Sequence, residues 1–244
     1  LRDRSHRYRK EKEMEKRAMS TVFMRLVVLT IVVLAFSAQT VLASEPVKQQ
    51  GTVDNALVTF RNFMVDKDMV WLQKNLKDAK GILIIPNLLK AGFVWGGSGG
   101  TGVLVVRDEK TGEWSQPAFY TIGSVTFGLQ IGGESAEVIM VVRTQKALDA
   151  LFTTEFKLGG DASIAAGPVG AGAKAAVKTD IVSFAKSKGL FAGLNLEGSM
   201  LKVSDDSNKA YYNQAVSPVD IIVKKTVSNP GSDALRNELK KAAK

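Results

Sequence analysis

The stretch Gly96-Gly97-Ser98-Gly99-Gly100-Thr101-Gly102 runs directly into Val103-Leu104-Val105-Val106, and the fold turns on how that junction is read. Residues 97–102 fit G-x-G-x-x-G, the dinucleotide turn, and residues 96–100 fit G-x-S-x-G, the nucleophile elbow. Both motifs need a helix next: its N-terminal amides hold the pyrophosphate in one, and a sharp strand-to-helix turn presents the serine in the other. Here a strand-like apolar run follows, and no acid lies about 20 residues further on to hold a ribose. The glycines therefore read as a hairpin or as close backbone packing, with a ligand-facing loop as the lesser alternative.

Working outward from there, residues 81–85 read as a buried strand stopped by Pro86. Residues 108–112 form a charged turn with Gly112, and residues 114–121 are its partner strand. Val125, Phe127, Leu129 and Ile131 alternate with Thr126, Gly128 and Gln130, the period of a half-buried strand. Residues 137–143 make another strand, and Thr144 caps a short helix reaching Phe152. The Gly/Ala-rich residues 158–178, where Val169, Ala171, Ala173, Ala175 and Val177 alternate, suit closely packed strands. Residues 181–187 and 190–197 continue the β pattern around Lys188-Gly189, residues 208–212 form a helical turn, and Ser232 is placed to cap a last helix. Upstream, Val53, Ala56, Leu57, Phe60 and Met64 repeat with helical spacing, as do Met69, Leu72, Leu76 and Ala79. With no βαβ alternation, the expectation is an α+β fold. N-terminal helices pack on a largely antiparallel, strongly curled or barrel-like sheet, with a C-terminal helix.

The chain of 244 residues carries a formal net charge of +9, which raises the question of a nucleic-acid partner. Residues 1–43 hold nine Lys/Arg against four Asp/Glu, leaving 24 bases and 20 acids in the remainder. The basicity therefore belongs mostly to the leader, and no nucleic-acid partner is expected. Residues 1–18 read as a charged upstream extension in which Met14, and then Met19 or Met24, offer starts. Residues 19–43 read as a signal peptide: Arg25, an apolar run over residues 26–36, and a Val41-Leu42-Ala43 cleavage site. The rival is a retained anchor, since residues 22–38 meet the lower limit of about 17 for a membrane span. Residues 44–52 read as a polar linker containing Pro46, and residues 53–244 as one domain, exported to the periplasm or cell envelope.

There is no Cys, and His6 is the only histidine. Without either, the body lacks thiolate and imidazole metal ligands and cannot run Ser-His or Cys-His chemistry. No metal, cofactor or catalytic residue is expected.

From residue 80 onward the chain resembles the SYLF (Ysc84-like) domain family. The likeness is carried by Ala79-Lys80-Gly81-Ile82, Lys90-Ala91-Gly92-Phe93, Trp114-Ser115-Gln116-Pro117, Gly128-Leu129-Gln130-Ile131-Gly132 and Ala165-Ala166-Gly167-Pro168-Val169-Gly170. Its most specific stretch is Ser183-Phe184-Ala185-Lys186-Ser187-Lys188-Gly189-Leu190-Phe191-Ala192-Gly193-Leu194-Asn195-Leu196-Glu197-Gly198-Ser199. The resemblance implies lipid binding without catalysis, with phosphoinositide binding among eukaryotic members and actin binding in some. Where those members place a Lys-rich amphipathic helix, residues 53–64 offer only Arg61.

Two candidate lipid-binding patches follow, and an apolar cavity within the curled sheet, which no sequence pattern displays, is a third candidate place for lipid. On a helical projection Lys67, Trp71, Lys74 and Lys77 lie opposite the Met69, Leu72, Leu76, Ala79 stripe, as an indole and ammonium groups at a bilayer interface would. The alternative packs Trp71 against the sheet or the first helix and leaves the lysines solvated. Lys186 and Lys188 beside Phe191 form the second patch, or else a solvated turn. The expected partner is phospholipid or a membrane surface, and the alternative is a protein partner of an envelope interaction domain.

Overall fold

The computed structural model describes residues 45–92, 95–127, 132–168, 170, 178–187, 190–191 and 196–244. The first helix, α1 (Glu45–Met64), begins eight residues before its apolar period does. The polar stretch expected as a linker is thus its first two turns. Pro46 is tolerated there because first-turn N–H groups have no intrahelical acceptor. These turns dock by hydrogen bonds rather than by apolar contact, which hid them from periodicity. Gln49 Nε2 donates to Ser207 Oγ at 3.2 Å, and Gln50 Nε2 donates to the Gly231 carbonyl at 2.9 Å. A short helix α2 (Val70–Asn75) follows and tightens into a 3₁₀ turn, Leu76–Asp78.

The strands are β1 (Gly81–Gly92), β2 (Trp95–Val106), β3 (Ala118–Phe127), β4 (Gly132–Val142), β5 (Glu155–Lys157), β6 (Ile164–Ala166), β7 (Ile181–Ser187), β8 (Leu190–Phe191) and β9 (Met200–Val203). They form one sheet in the order β5-β9-β3-β2-β1-β4-β7-β6, with β8 pairing β7. Every pairing is antiparallel except β6 with β7. The two ends of that order, β5 and β6, are consecutive in sequence. A flat sheet would hold the end strands about 34 Å apart at roughly 4.8 Å per step. Seven steps of extended chain from Lys157 to Ile164 reach only about 25 Å. The sheet must curl, and the expected α+β fold on a strongly curled, largely antiparallel sheet is the one observed.

Curling gives the sheet two buried faces. Leu83, Ile85, Tyr120, Met140 and Val142 face an inner core with α3 (Gln145–Leu151) and Phe156 of β5. Ile82, Ile84, Val103, Val105 and Phe184 face an outer layer of α1, α2 and α5 (Asp233–Ala242), joined by Tyr211 of α4 (Asp205–Tyr212). A strand buried on both sides reads as an unbroken apolar run, which is what Ile82-Leu83-Ile84-Ile85 is.

Pro86 does not stop β1. Between Ile84 and Asn87 β1 advances one residue more than β2, and between Ile85 and Leu88 one more than β4. This bulge accommodates a residue with no N–H to donate and returns Leu88 to the inner core. It also explains the glycine cluster, which is the interior of β2 and not a hairpin. A Cβ on Gly100 would stand 2.7 Å from the Asn87 carbonyl oxygen, and one on Gly102 2.5 Å from that of Ile84. The close-packing reading of the glycines is the correct one.

Downstream, residues 125–127 belong to the end of β3, while Leu129, Ile131 and residues 171–177 lie outside the described residues. Thr144 caps α3 as expected, accepting from Ala147 N–H. Ser232 does not cap α5: its Oγ donates to Gln116 Oε1 and to the Asn229 carbonyl. Asn229 takes the capping role for the 3₁₀ turn Pro230–Ser232 by accepting from Gly231 N–H. A salt bridge at 2.5 Å between Lys186 Nζ of β7 and Asp66 Oδ2 ties the sheet to the α1–α2 connection. That ammonium, with the Asp68 N–H, holds the Asp66 carboxyl below the usual carboxylate range.

Gly102→Ala should cost about 1–3 kcal/mol in urea unfolding, as overpacking against backbone does. Gly99→Ala, whose nearest neighbour would be 3.8 Å away, should be neutral or slightly stabilising. Asp66→Asn should lower stability at pH 7 by about 1.5–3 kcal/mol, the range for hydrogen bonds to charged groups. Because folding depresses this pKa, its contribution is complete above the unfolded value of about 3.9 and is lost as pH falls through the folded one. Unfolding midpoints of the wild-type and Asp66→Asn proteins should therefore converge on acidification.

Candidate functional site

α2 is wedged between the sheet and α1, and this decides the first lysine patch. Met69, Leu72 and Leu76 are buried as expected, but so is Trp71, which is 6% exposed. Its ring lies 5.8 Å from that of Phe184, centroid to centroid, and the Arg143 guanidinium stands 5.8 Å from its centroid. The projection that placed Trp71 with the lysines assumed one regular helix; six α-helical residues ending in a 3₁₀ turn bury two sides at once. Trp71 is therefore core, and the alternative packing against the sheet holds. Lys67, Lys74 and Lys77 are exposed, and none makes a salt bridge among the described residues. Val65, the residue after α1 and two before Lys67, is 84% exposed. Gln73 Nε2 fixes this corner by donating to the carbonyls of Met64 and Asp66, at 3.0 and 2.7 Å.

Of the second patch, the β7–β8 pairing sets Lys186 opposite Phe191. The Lys186 side chain is 11% exposed, bound to Asp66 and set 5.6 Å from the Phe63 ring centroid. It holds the fold and offers no free charge. Lys188 lies outside the described residues.

The two glycine motifs acquire no site. Their residues continue as strand to Val106, and Ser98 Oγ is hydrogen-bonded to Ser124 Oγ across β2–β3 at 2.7 Å. Among the described residues no group of His, Cys, Asp and Glu could hold a metal ion, and no helix is long and apolar enough to cross a membrane.

One feature went undetected in the sequence: a cleft of about 550 Å³ between the β2–β3 connection, α3, and a five-residue π turn, Val219–Val223, with the loop after it. Leu148, Phe152, Ile221, Ile222 and Val227 give it an apolar lining. Arg107 lines it as well, and its buried Nε has no partner among the described residues. The same holds for Nε1 of Trp114, a residue only 1% exposed. A buried donor left unsatisfied costs about 1–3 kcal/mol, so two in one cleft are a substantial local cost. Lys225 at the rim adopts a left-handed backbone with φ of 54°, a conformation that favours glycine. No local motif could have exposed this cleft, because its walls come from four separated stretches of chain.

A family model described as Ysc84, Las17-binding protein actin regulator, matches residues 123–242. LAS seventeen-binding protein 3 of Saccharomyces cerevisiae is 34% identical over 177 residues, covering 69% of this chain and 38% of the relative. An SH3 domain-containing protein of Schizosaccharomyces pombe is 38% identical over 144 residues, covering 56% and 33%. The human SH3 domain-containing YSC84-like protein 1 is 33% identical over 149 residues, covering 59% and 43%. The chain thus spans well under half the length of these relatives. The family model runs from within β3 to the end of α5, and the chain belongs to the SYLF, or Ysc84-like, family.

Proposed function

We propose that this domain is a non-catalytic module that associates with anionic phospholipid surfaces through the corner at α2. The observation that carries the reading is the trio Lys67, Lys74 and Lys77, exposed and outside any salt bridge among the described residues. They stand on a segment that Trp71, Leu72 and Leu76 clamp to the core. Ammonium groups held on a rigid corner meet lipid phosphates at little cost in ordering, and the exposed Val65, two residues before Lys67, supplies an apolar side chain to the interface. With export as its leader implies, the surface is a membrane of the cell envelope. A second reading, docking to a protein, is favoured by the description of the matching family as Las17-binding and an actin regulator.

Co-sedimentation of the full chain with vesicles separates the two. Uptake should rise with the fraction of anionic lipid and fall with added salt, as surface electrostatics require. Each lysine near an anionic surface contributes about 1 kcal/mol, so Lys67→Glu together with Lys74→Glu should weaken partitioning well over tenfold. Comparing the variant with wild type on the same chain cancels any contribution of the leader. Uptake indifferent to lipid charge and to these substitutions would favour the protein-docking reading. Trp71→Ala should act differently, lowering stability by about 3–5 kcal/mol in thermal or urea unfolding while leaving binding per folded molecule unchanged.

A further inference from the structure

We infer that the cleft beside Arg107 is a binding site for a single-chain amphiphile bearing one acidic group, a carboxylate or a phosphate ester. The site is built from segments other than the α2 corner, and it stands or falls independently of the membrane reading.

The charges around the cleft single out Arg107. Asp108 Oδ2 is 3.3 Å from Lys225 Nζ, Glu113 pairs with Lys240, and Arg236 NH1 is 3.0 Å from Asp233 Oδ1. Arg236 Nε donates to the Trp114 carbonyl at 2.9 Å. Each of these groups is answered by its neighbour, whereas the Arg107 guanidinium has no partner among the described residues. The cleft therefore holds one uncompensated positive charge, which calls for an anion.

Arg107 and Trp114 are partners in an isolated antiparallel bridge. Residues directly opposite in such a bridge send their side chains to the same side, so the two orphaned donors start from adjacent positions. Arg107 supplies a planar fork suited to a carboxylate or phosphate, and the Trp114 ring, buried beside it, gives that fork a rigid support.

The rest of the cleft excludes a bare inorganic ion as the fitting ligand. One wall of it, formed by Leu148, Phe152, Ile221, Ile222 and Val227, is apolar, and Val223 at the π turn is 57% exposed, an aliphatic side chain that an occupant would cover. The volume of about 550 Å³ falls within the roughly 300–1,000 Å³ of small-molecule sites. A neutral hydrocarbon would cover the apolar wall but leave Arg107 unanswered. Only a molecule with both an acidic head and an apolar body uses everything present.

Calorimetric titration of the full chain with dodecanoate, dodecyl phosphate, dodecanol and inorganic phosphate, each below its aggregation concentration, tests the inference. Dodecanoate or dodecyl phosphate should bind one per chain, and the tighter of the two identifies the preferred head. Dodecanol and inorganic phosphate should each bind at least about tenfold more weakly, since each lacks one half of the match. Arg107→Gln should raise the Kd of the acidic ligand at least about tenfold, with Arg107→Lys between it and wild type. Val223→Asp, at an exposed position where folding is insensitive, should weaken the acid by repulsion and serves as the deciding variant if Arg107→Gln melts early. Absence of binding by both acidic amphiphiles, equal binding of dodecanol, or unchanged affinity in Val223→Asp would overturn the inference.

Discussion

Six residues, 158–163, connect the two strands at opposite ends of the eight-strand path, and that short span will not cross a flat sheet. Much of the architecture follows from it. Curling encloses one face, so Phe156 at one end of the order and Ile181 near the other share a core with Leu83 and Met140. The outer face is left to α1, α2 and α5. The central strand is then apolar on both sides, and its Pro86 bulge lies over β2 so closely that Gly100 and Gly102 admit no side chain. The curl of the sheet and the glycines of β2 are two consequences of the same packing.

That frame also sets where binding chemistry can occur. The elements with most of their surface in the core, such as β7 with Lys186 locked to Asp66, offer nothing outward. Exposed chemistry gathers where connections leave the frame. One such place is the corner from Val65 to Lys77, held by the Gln73 amide and by the Trp71 ring on Phe184. The other is the cleft where the β2–β3 turn meets the π turn. At the corner Lys67, Lys74 and Lys77 are exposed, with no salt bridge among the described residues, while the apolar residues between them are used inside. At the cleft, among the described residues, the bases are paired except for Arg107.

The sequence disclosed what depends on local pattern. The apolar run at Ile82, the Thr144 cap and the strand after Gly102 were all legible, because each is set by a residue's immediate neighbours. What stayed hidden depended on contacts distant in sequence. Pro86 ends a strand by its own chemistry, and only the register with β2 and β4 reveals a bulge. The first turns of α1 are polar, and they dock through Gln49 and Gln50 to residues more than 150 positions away. Trp71 projected outward on an ideal helix, yet a segment packed against two layers has no outward side for it. The cleft left no trace, since Arg107, Leu148, Ile222 and Arg236 share no motif.

If association with anionic lipid runs through the α2 corner, that corner must turn toward the membrane. The chain has no cysteine, so a single one can be placed at will. An aqueous-quencher titration of a fluorophore on Lys77→Cys, compared with one on Met200→Cys in β9, tests the claim directly. On anionic vesicles the probe at position 77 should become shielded from the quencher while the probe at position 200 keeps its solution accessibility. If position 77 stays as accessible as in free solution while the protein is vesicle-bound, the account is contradicted.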